Sequence, residues 1–217
     1  MKRSEFIIEI ADILKRTDLD ERIKIWLNQA LINISRSYNF KEMETIVPLT
    51  TSETFPSDIK MPKTLRIIDG TQSLKLDMIL VDDTDDNYPN PSADTKGKPD
   101  SYLWWGLVDY ELIPNVDKLY NMKLRYYKYA PPFSSDVDTS IFKNKDDLII
   151  CAGVIEGYLA LASKEDLEQA TIWANKYTGI LQSIITVEKE LLNESWQPTI
   201  NYDRHTLPYE YWKYPFI

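Results

Sequence analysis

DLDERIKIWLNQALINISRSYNFKEMETIVPLT, residues 18–50, contains the change of hydrophobic period on which the fold turns. In its first part Ile23, Trp26, Leu27, Ala30, Leu31, Ile34 and Tyr38 recur every three or four residues, the spacing that gathers side chains on one face of an α-helix. Asp18 with Glu21 has the separation of a capping box, and Thr17 offers a break just before it. After Asn39 the period shortens. The β-branched run in 43–50, ending at Pro48 and Leu49, predicts a strand.

Upstream, Phe6, Ile7, Ile10, Ile13 and Leu14 predict an amphipathic helix over 3–16, paired with the second helix around one core. Downstream, Pro56 and Pro62 mark turns, and Leu65, Ile67 and Ile68 form a strand that stops at the turn dipeptide Asp69-Gly70. Residues 74–81 fit a strand or a short helix equally. Strands follow at 102–107, 108–113 and 123–129, the last carrying Leu124, Tyr126 and Tyr127 into Ala130-Pro131-Pro132. Short connections predict that these strands form a small antiparallel domain. Between them, 82–99 is rich in Asp, Asn, Pro, Ser, Gly and Lys and predicts a mobile acidic loop with almost nothing to bury.

Two further helices are predicted near the end of the chain. Asn144 with Asp147 caps the third, whose Leu148, Ala152, Ile155, Tyr158 (or Leu159) and Ala162 face inward. Ser163 with Asp166 repeats the capping pattern for a long fourth helix of about seven turns, with Leu167, Ala170, Trp173, Ala174, Tyr177, Leu181, Ile184 and Leu191 along it. The expected fold is α+β and mainly α. A helical core of about four helices, two N-terminal and two C-terminal, receives an inserted antiparallel β-domain, and an extended tail follows. The expected boundaries are 1–42 for the N-terminal helical pair, 43–142 for the β-domain, 143–193 for a C-terminal pair packing on the first, and 194–217 for the tail.

That tail holds Trp196, Tyr202, Tyr209, Tyr211, Trp212, Tyr214 and Phe216, punctuated by Pro198, Pro208 and Pro215. The prolines prevent a long helix, and the rings carry too much apolar surface for a solvated linker. A strap that docks on another protein chain is the expectation, since Trp and Tyr bring large contact area at small entropic cost.

Composition narrows the function. With 25 Lys and Arg against 34 Asp and Glu the net charge is -9, which argues against wrapping nucleic acid by phosphate neutralisation. An acidic surface still suits a channel along which DNA must slide without sticking. Cys151 and His205 stand alone in their kinds, so no intrachain disulfide and no Cys/His zinc site is expected. Glu5, Glu9 and Asp12 interrupt any signal-peptide core, and no stretch reaches bilayer length. The expectation is a soluble protein of a cytoplasm-like compartment, with no membrane partner.

Catalytic constellations do not emerge. Cys151 lies on an apolar helix without an activating base and reads as a buried thiol, and His205 reads as a surface residue. Asp83, Asp85 and Asn87 occupy the first, third and fifth positions of an EF-hand loop, with Asp94 where the bidentate acid belongs. Tyr88 replaces the required glycine, and Pro89 and Pro91 stiffen the wrapping segment, so a solvated acidic loop is expected, with no metal and no cofactor. Gly153 and Gly157 lie within a helix, where small residues permit close packing. Tyr102, Trp104 and Trp105 suggest a stacking platform for sugar or single-stranded nucleic acid. The alternative puts one Trp in the core and the other in a subunit contact, which the acidic charge favours.

The ordered series of elements resembles a known family. Its carriers are Trp26-Leu27-Asn28-Gln29-Ala30-Leu31, Tyr38-Asn39-Phe40, Phe55-Pro56-Ser57-Asp58, the hairpin over 106–114, Leu124-Arg125-Tyr126-Tyr127 running into Ala130-Pro131-Pro132, and Asp147-Leu148-Ile149 with Glu156-Gly157-Tyr158-Leu159-Ala160. Over about residues 3–190 this resembles the head-tail adaptor (connector) proteins of tailed bacteriophages. The resemblance implies a non-catalytic virion protein of the neck: a ring of about twelve copies docked beneath the portal, contacting tail or neck proteins and surrounding double-stranded DNA without sequence-specific contact. It also implies assembly in the host cytoplasm. The tail and the acidic loop have no counterpart in that resemblance.

Overall fold

The computed structural model describes residues 1–79 and 96–193. Met1–Leu181 form one compact unit and Gln182–Ile217 a second. The element order is α1 (Arg3–Leu14), α2 (Asp20–Ser37), a 3-10 turn (Lys41–Met43), β1 (Glu44–Thr50), β2 (Ile59–Asp69), β3 (Gln72–Ile79), β4 (Ser101–Gly106), β5 (Asp109–Ile113), β6 (Asn121–Lys128), α3 (Asp146–Leu161) and α4 (Lys164–Asn193). Four helices and a curled six-stranded sheet make the fold α+β.

The helical core follows the periodicity of the sequence. Phe6 and Ile10 of α1 and Ile23, Leu27, Leu31 and Ile34 of α2 are buried, and a side chain of this size contributes on the order of 2 kcal/mol when removed from water. Against both helices packs α3. It has no single apolar face: Leu148, Ile149, Cys151, Ala152, Gly153, Val154 and Gly157 are all buried, whereas Ile155 is half-buried and Leu159 is exposed. The expected inward set of Ile155 with Tyr158 or Leu159 is therefore corrected. A helix inserted between two others has neighbours on both flanks.

Two expected caps are also corrected. Asp18 does not cap α2, which starts from Leu19; its carboxylate instead accepts two hydrogen bonds from Arg16, at 2.8 and 2.9 Å. Asn144 is in the left-handed region at φ 59 and ends the preceding turn, so α3 starts from Lys145 without a side-chain cap. The third box forms as expected: Ser163 Oγ accepts from the Asp166 amide at 3.1 Å, and the Asp166 carboxylate accepts from the Ser163 amide. Helix α4 is 30 residues long, but among its described side chains only Ala170 is buried. Leu167 is exposed, and Trp173, Ala174, Tyr177, Leu181 and Ile184 are half-buried, so α3 rather than the pair carries the packing on the N-terminal helices.

The sheet runs β1-β6-β2-β3-β4-β5. Residues 72–79 settle as a strand, joined to β2 by a tight turn in which Gly70 takes φ 60. One pair departs from the antiparallel expectation. Strands β3 and β4 are parallel, with Asp77, Met78 and Ile79 opposite Ser101, Tyr102 and Leu103. Parallel neighbours need a long connection rather than a hairpin, and the chain between them is long enough to provide it. The expected loop 82–99 is shortened at its far end: Gly97 bridges to Val116, Lys98 pairs with Asp69 at 3.2 Å, and Pro99 is buried.

The sheet closes a core of its own. Phe55, Ile59, Leu65, Ile67, Leu76, Tyr102, Leu112, Tyr120, Met122, Leu124 and Tyr126 form one cluster to which no helix contributes. Polar contacts join it to the helices. Ser35 Oγ donates to Leu31 O at 2.7 Å and accepts from the Ala130 amide at 3.0 Å, while Asn28 Oδ1 accepts from the Phe133 amide at 2.9 Å. Lys60, on β2, donates to the carbonyls of Ser35 and Tyr38 at the end of α2, where the helix presents unpaired acceptors and negative partial charge. Lys145 pairs with Glu42 beneath the Phe40 ring, and Phe40 meets Phe142 edge-on.

Candidate interaction surfaces

Strand alternation sorts the proposed platform residues before any ligand is considered. Tyr102 and Trp104 share the face that turns toward the sheet core. Tyr102 is 3% exposed and edge-on to Phe55, and burial pushes its hydroxyl up to about 12. Trp104 is half-buried and donates Nε1–H to Leu107 O at 3.1 Å. Trp105 faces the other way, 55% exposed, near the still more exposed Leu107 at the β4–β5 turn. A three-ring platform is therefore absent, because two of the rings are spent on packing. Of the alternative, in which one Trp fills the core and the other a subunit contact, the structure gives the inner half: Trp104 packs against the sheet core.

Cys151 is buried, and that burial raises its thiol pKa, so it stays a thiol at neutral pH. Glu156 is raised for the same reason while its carboxylate accepts from Asn33 Nδ2 at 2.7 Å. Asp146 accepts from the N-terminal amine at 3.1 Å, a local structural contact. Among the described residues no group of His, Cys, Asp or Glu is arranged to hold a metal. Asp83, Asp85, Asn87 and Asp94, His205, and the aromatic residues Trp196, Tyr202, Tyr209, Tyr211, Trp212, Tyr214 and Phe216 lie outside the described residues.

The register of the sheet creates a surface that single residues do not announce. On the face away from the core, Lys123 of β6 stands opposite Arg66 of β2, and Arg66 opposite Lys75 of β3. All three are exposed, and none has a carboxylate partner among the described residues. Pro48 of β1 continues the row beyond Lys123. In the next row Arg125 lies between Ile46 and Thr64, and Glu44 at the strand end holds both Arg125 and Lys63. Ile46 and Ile68 flank the basic row on the same face, 51% and 36% exposed.

What this geometry offers are uncovered surfaces suited to other macromolecules. The model of a family described as SU10 adaptor protein matches residues 1–201. The chain belongs to the SU10 adaptor protein family. That family is one of phage head-tail adaptors, in agreement with the resemblance carried by the ordered motifs. No curated protein matches the chain. Membership of the SU10 adaptor family implies a structural place in a bacteriophage virion and contact with other virion proteins. SU10 adaptor proteins are in general non-enzymatic. Among the described residues no helix is long and apolar enough to cross a membrane.

Proposed function

We propose that this protein is a subunit of the neck ring: it seats beneath the portal, gives the tail its attachment platform, and continues the DNA conduit during genome retention and ejection. The observation that carries this reading is the family match, which spans nearly the whole chain. About twelve copies close the ring around double-stranded DNA, which passes without sequence-specific contact. Assembly takes place in the host cytoplasm. The N-terminal helices, the β-domain inserted after them and the C-terminal helices form the body of each subunit.

Uncovered apolar side chains support it. Ile8, Ile25, Ile46, Trp105 and Leu107 are each more than half exposed and give contacts between subunits apolar area to cover. A ring needs such surfaces in non-identical, complementary pairs. The aromatic residues Trp196, Tyr202, Tyr209, Tyr211, Trp212, Tyr214 and Phe216 form the strap that docks on portal or neighbour.

Electron microscopy of the purified protein mixed with portal rings tests the reading, with density for a second ring stacked on the portal as the expected result. A protein that remains a monomer and never binds portal overturns it. The strap is tested separately by a chain ending before Glu194. It should keep its fold and lose docking; a truncated chain that docks like the parent removes the strap from the account.

A further inference from the structure

The basic row on the sheet is an unusual choice for this chain. Like charges directly opposite one another across strands are destabilising, yet Lys123, Arg66 and Lys75 follow one another on three adjacent strands about 5 Å apart. The acids on this face do not neutralise them. Glu44 is held by Lys63 and Arg125, and Asp77 lies two residues along β3 from Lys75. A chain with net charge -9 thus concentrates cations on one sheet face, between two exposed isoleucines.

Helix α1 carries the complementary pattern. Glu5, Ile8, Glu9 and Asp12 are exposed and fall at the spacing that aligns them on one side of a helix. Ile8 is 61% exposed in the middle of that acidic stripe. Glu5 accepts from the Lys2 amide at 2.7 Å, and Glu9 and Asp12 have no basic partner among the described residues. An acidic stripe centred on an isoleucine matches, in charge and in apolar content, a basic row flanked by isoleucines.

We infer that the outer face of the sheet binds the α1 stripe of a second copy of this chain. Lys123, Arg66 and Lys75 meet Glu9 and Asp12, and Ile8 lies against Ile68, two residues along β2 from Arg66. The contact is head-to-tail, since the two faces differ, and it is therefore of the kind that closes into a ring. This inference rests on the ring reading and assigns the surfaces by which it is built. The charge pairs set register and rate of association and are weakened by salt, while Ile8 against Ile68 adds apolar area beside them.

Charge exchange tests it on the full-length chain. The sheet variant K123E/R66E/K75E and the helix variant E9K/D12K should each remain folded by circular dichroism, because all five positions are exposed, and each should lose the ring species in sedimentation velocity. Mixed together they should recover it, because each contact in an alternating ring is again between opposite charges. The neutral variant K123Q/R66Q/K75Q adds a readout that a purely structural role would not give: the isolated subunit becomes more stable to urea while assembly weakens. A sheet variant that assembles like the parent, or a mixture that does not recover assembly, overturns the assignment and leaves the ring standing. Rings that form normally from the sheet variant but no longer retain double-stranded DNA overturn it in favour of a phosphate-binding face. A parent chain that stays monomeric even with portal overturns both the assignment and the ring.

Discussion

Gly153 leaves no room for a β-carbon against Ile10: one built on its backbone would stand 2.6 Å from Ile10 Cδ1. One turn on, a β-carbon at Gly157 would meet Leu14 Cδ1 at 2.8 Å and Trp26 Cζ3 at 3.3 Å. These two glycines bring α3 close to α1 and α2. Because Ile10 is fully buried, its terminal methyl has little space into which to move. Gly153→Val should destabilise the protein by about 1–3 kcal/mol, the usual cost of overpacking, as read from urea denaturation. Gly179 of α4 is the control: a β-carbon added there would have nothing within 4 Å, and Gly179→Ala should raise helix stability by about 1 kcal/mol.

Ser35 is buried and holds the Ala130 amide. In Ser35→Ala that N–H loses its acceptor in a place water does not reach, which costs about 1–3 kcal/mol. Denaturant midpoints of the two proteins should differ accordingly with unchanged slope. An equal midpoint would show that the segment around Ala130 is held by other contacts.

Alkaline pH should attack the sheet core. Burial raises Tyr102 and Tyr110 to about 12, above the ordinary value of 10 that the unfolded chain regains. A raised tyrosine contributes stability that is whole below pH 10 and is lost as pH climbs through 12. Lys60 works in the opposite sense. Burial lowers it to about 8 from 10.5, so the native state holds fewer protons between those values and its stability increment rises across that window. Tyrosinate absorbance followed beside circular dichroism should show these two phenols ionising only as the sheet melts, and Lys60→Met should remove the rise between pH 8 and 10.5.

Tryptophan emission offers a check on the surface of β4. With Tyr102 and Trp104 turned inward, titration with oligosaccharides or single-stranded oligonucleotides should leave the emission unchanged. Trp105→Ser should alter stability by less than about 0.5 kcal/mol, as is usual at an exposed site. Saturable quenching by either ligand that Trp105→Ser abolishes would show that the outer ring alone suffices to bind.

What the sequence disclosed depended on whether local chemistry or distant neighbours decided each feature. The period of α2 and the Ser163/Asp166 box were legible because both are settled within a few residues. Asp18 misled because Arg16, two positions away, offers its carboxylate a charged partner that competes with the cap. The faces of α3 were legible only in part: Gly153 and Gly157 announced the close packing that is found, but not that neighbours would cover the helix on both flanks. The parallel β3–β4 pair and the basic row follow from register, and register is a relation between strands that no single strand carries. Lys75, Arg66 and Lys123, read one at a time, are ordinary solvent-facing alternates of their strands.

The sheet cluster from Phe55 to Tyr126 is closed without a single helical side chain, and its ties to α2 include hydrogen bonds from Lys60 and through Ser35 and Asn28. Substitutions inside one core therefore leave the packing problem of the other unchanged, and their energetic costs should sum. That separation makes the two halves independently mutable: the strands can be re-tailored while the helices stay as they are.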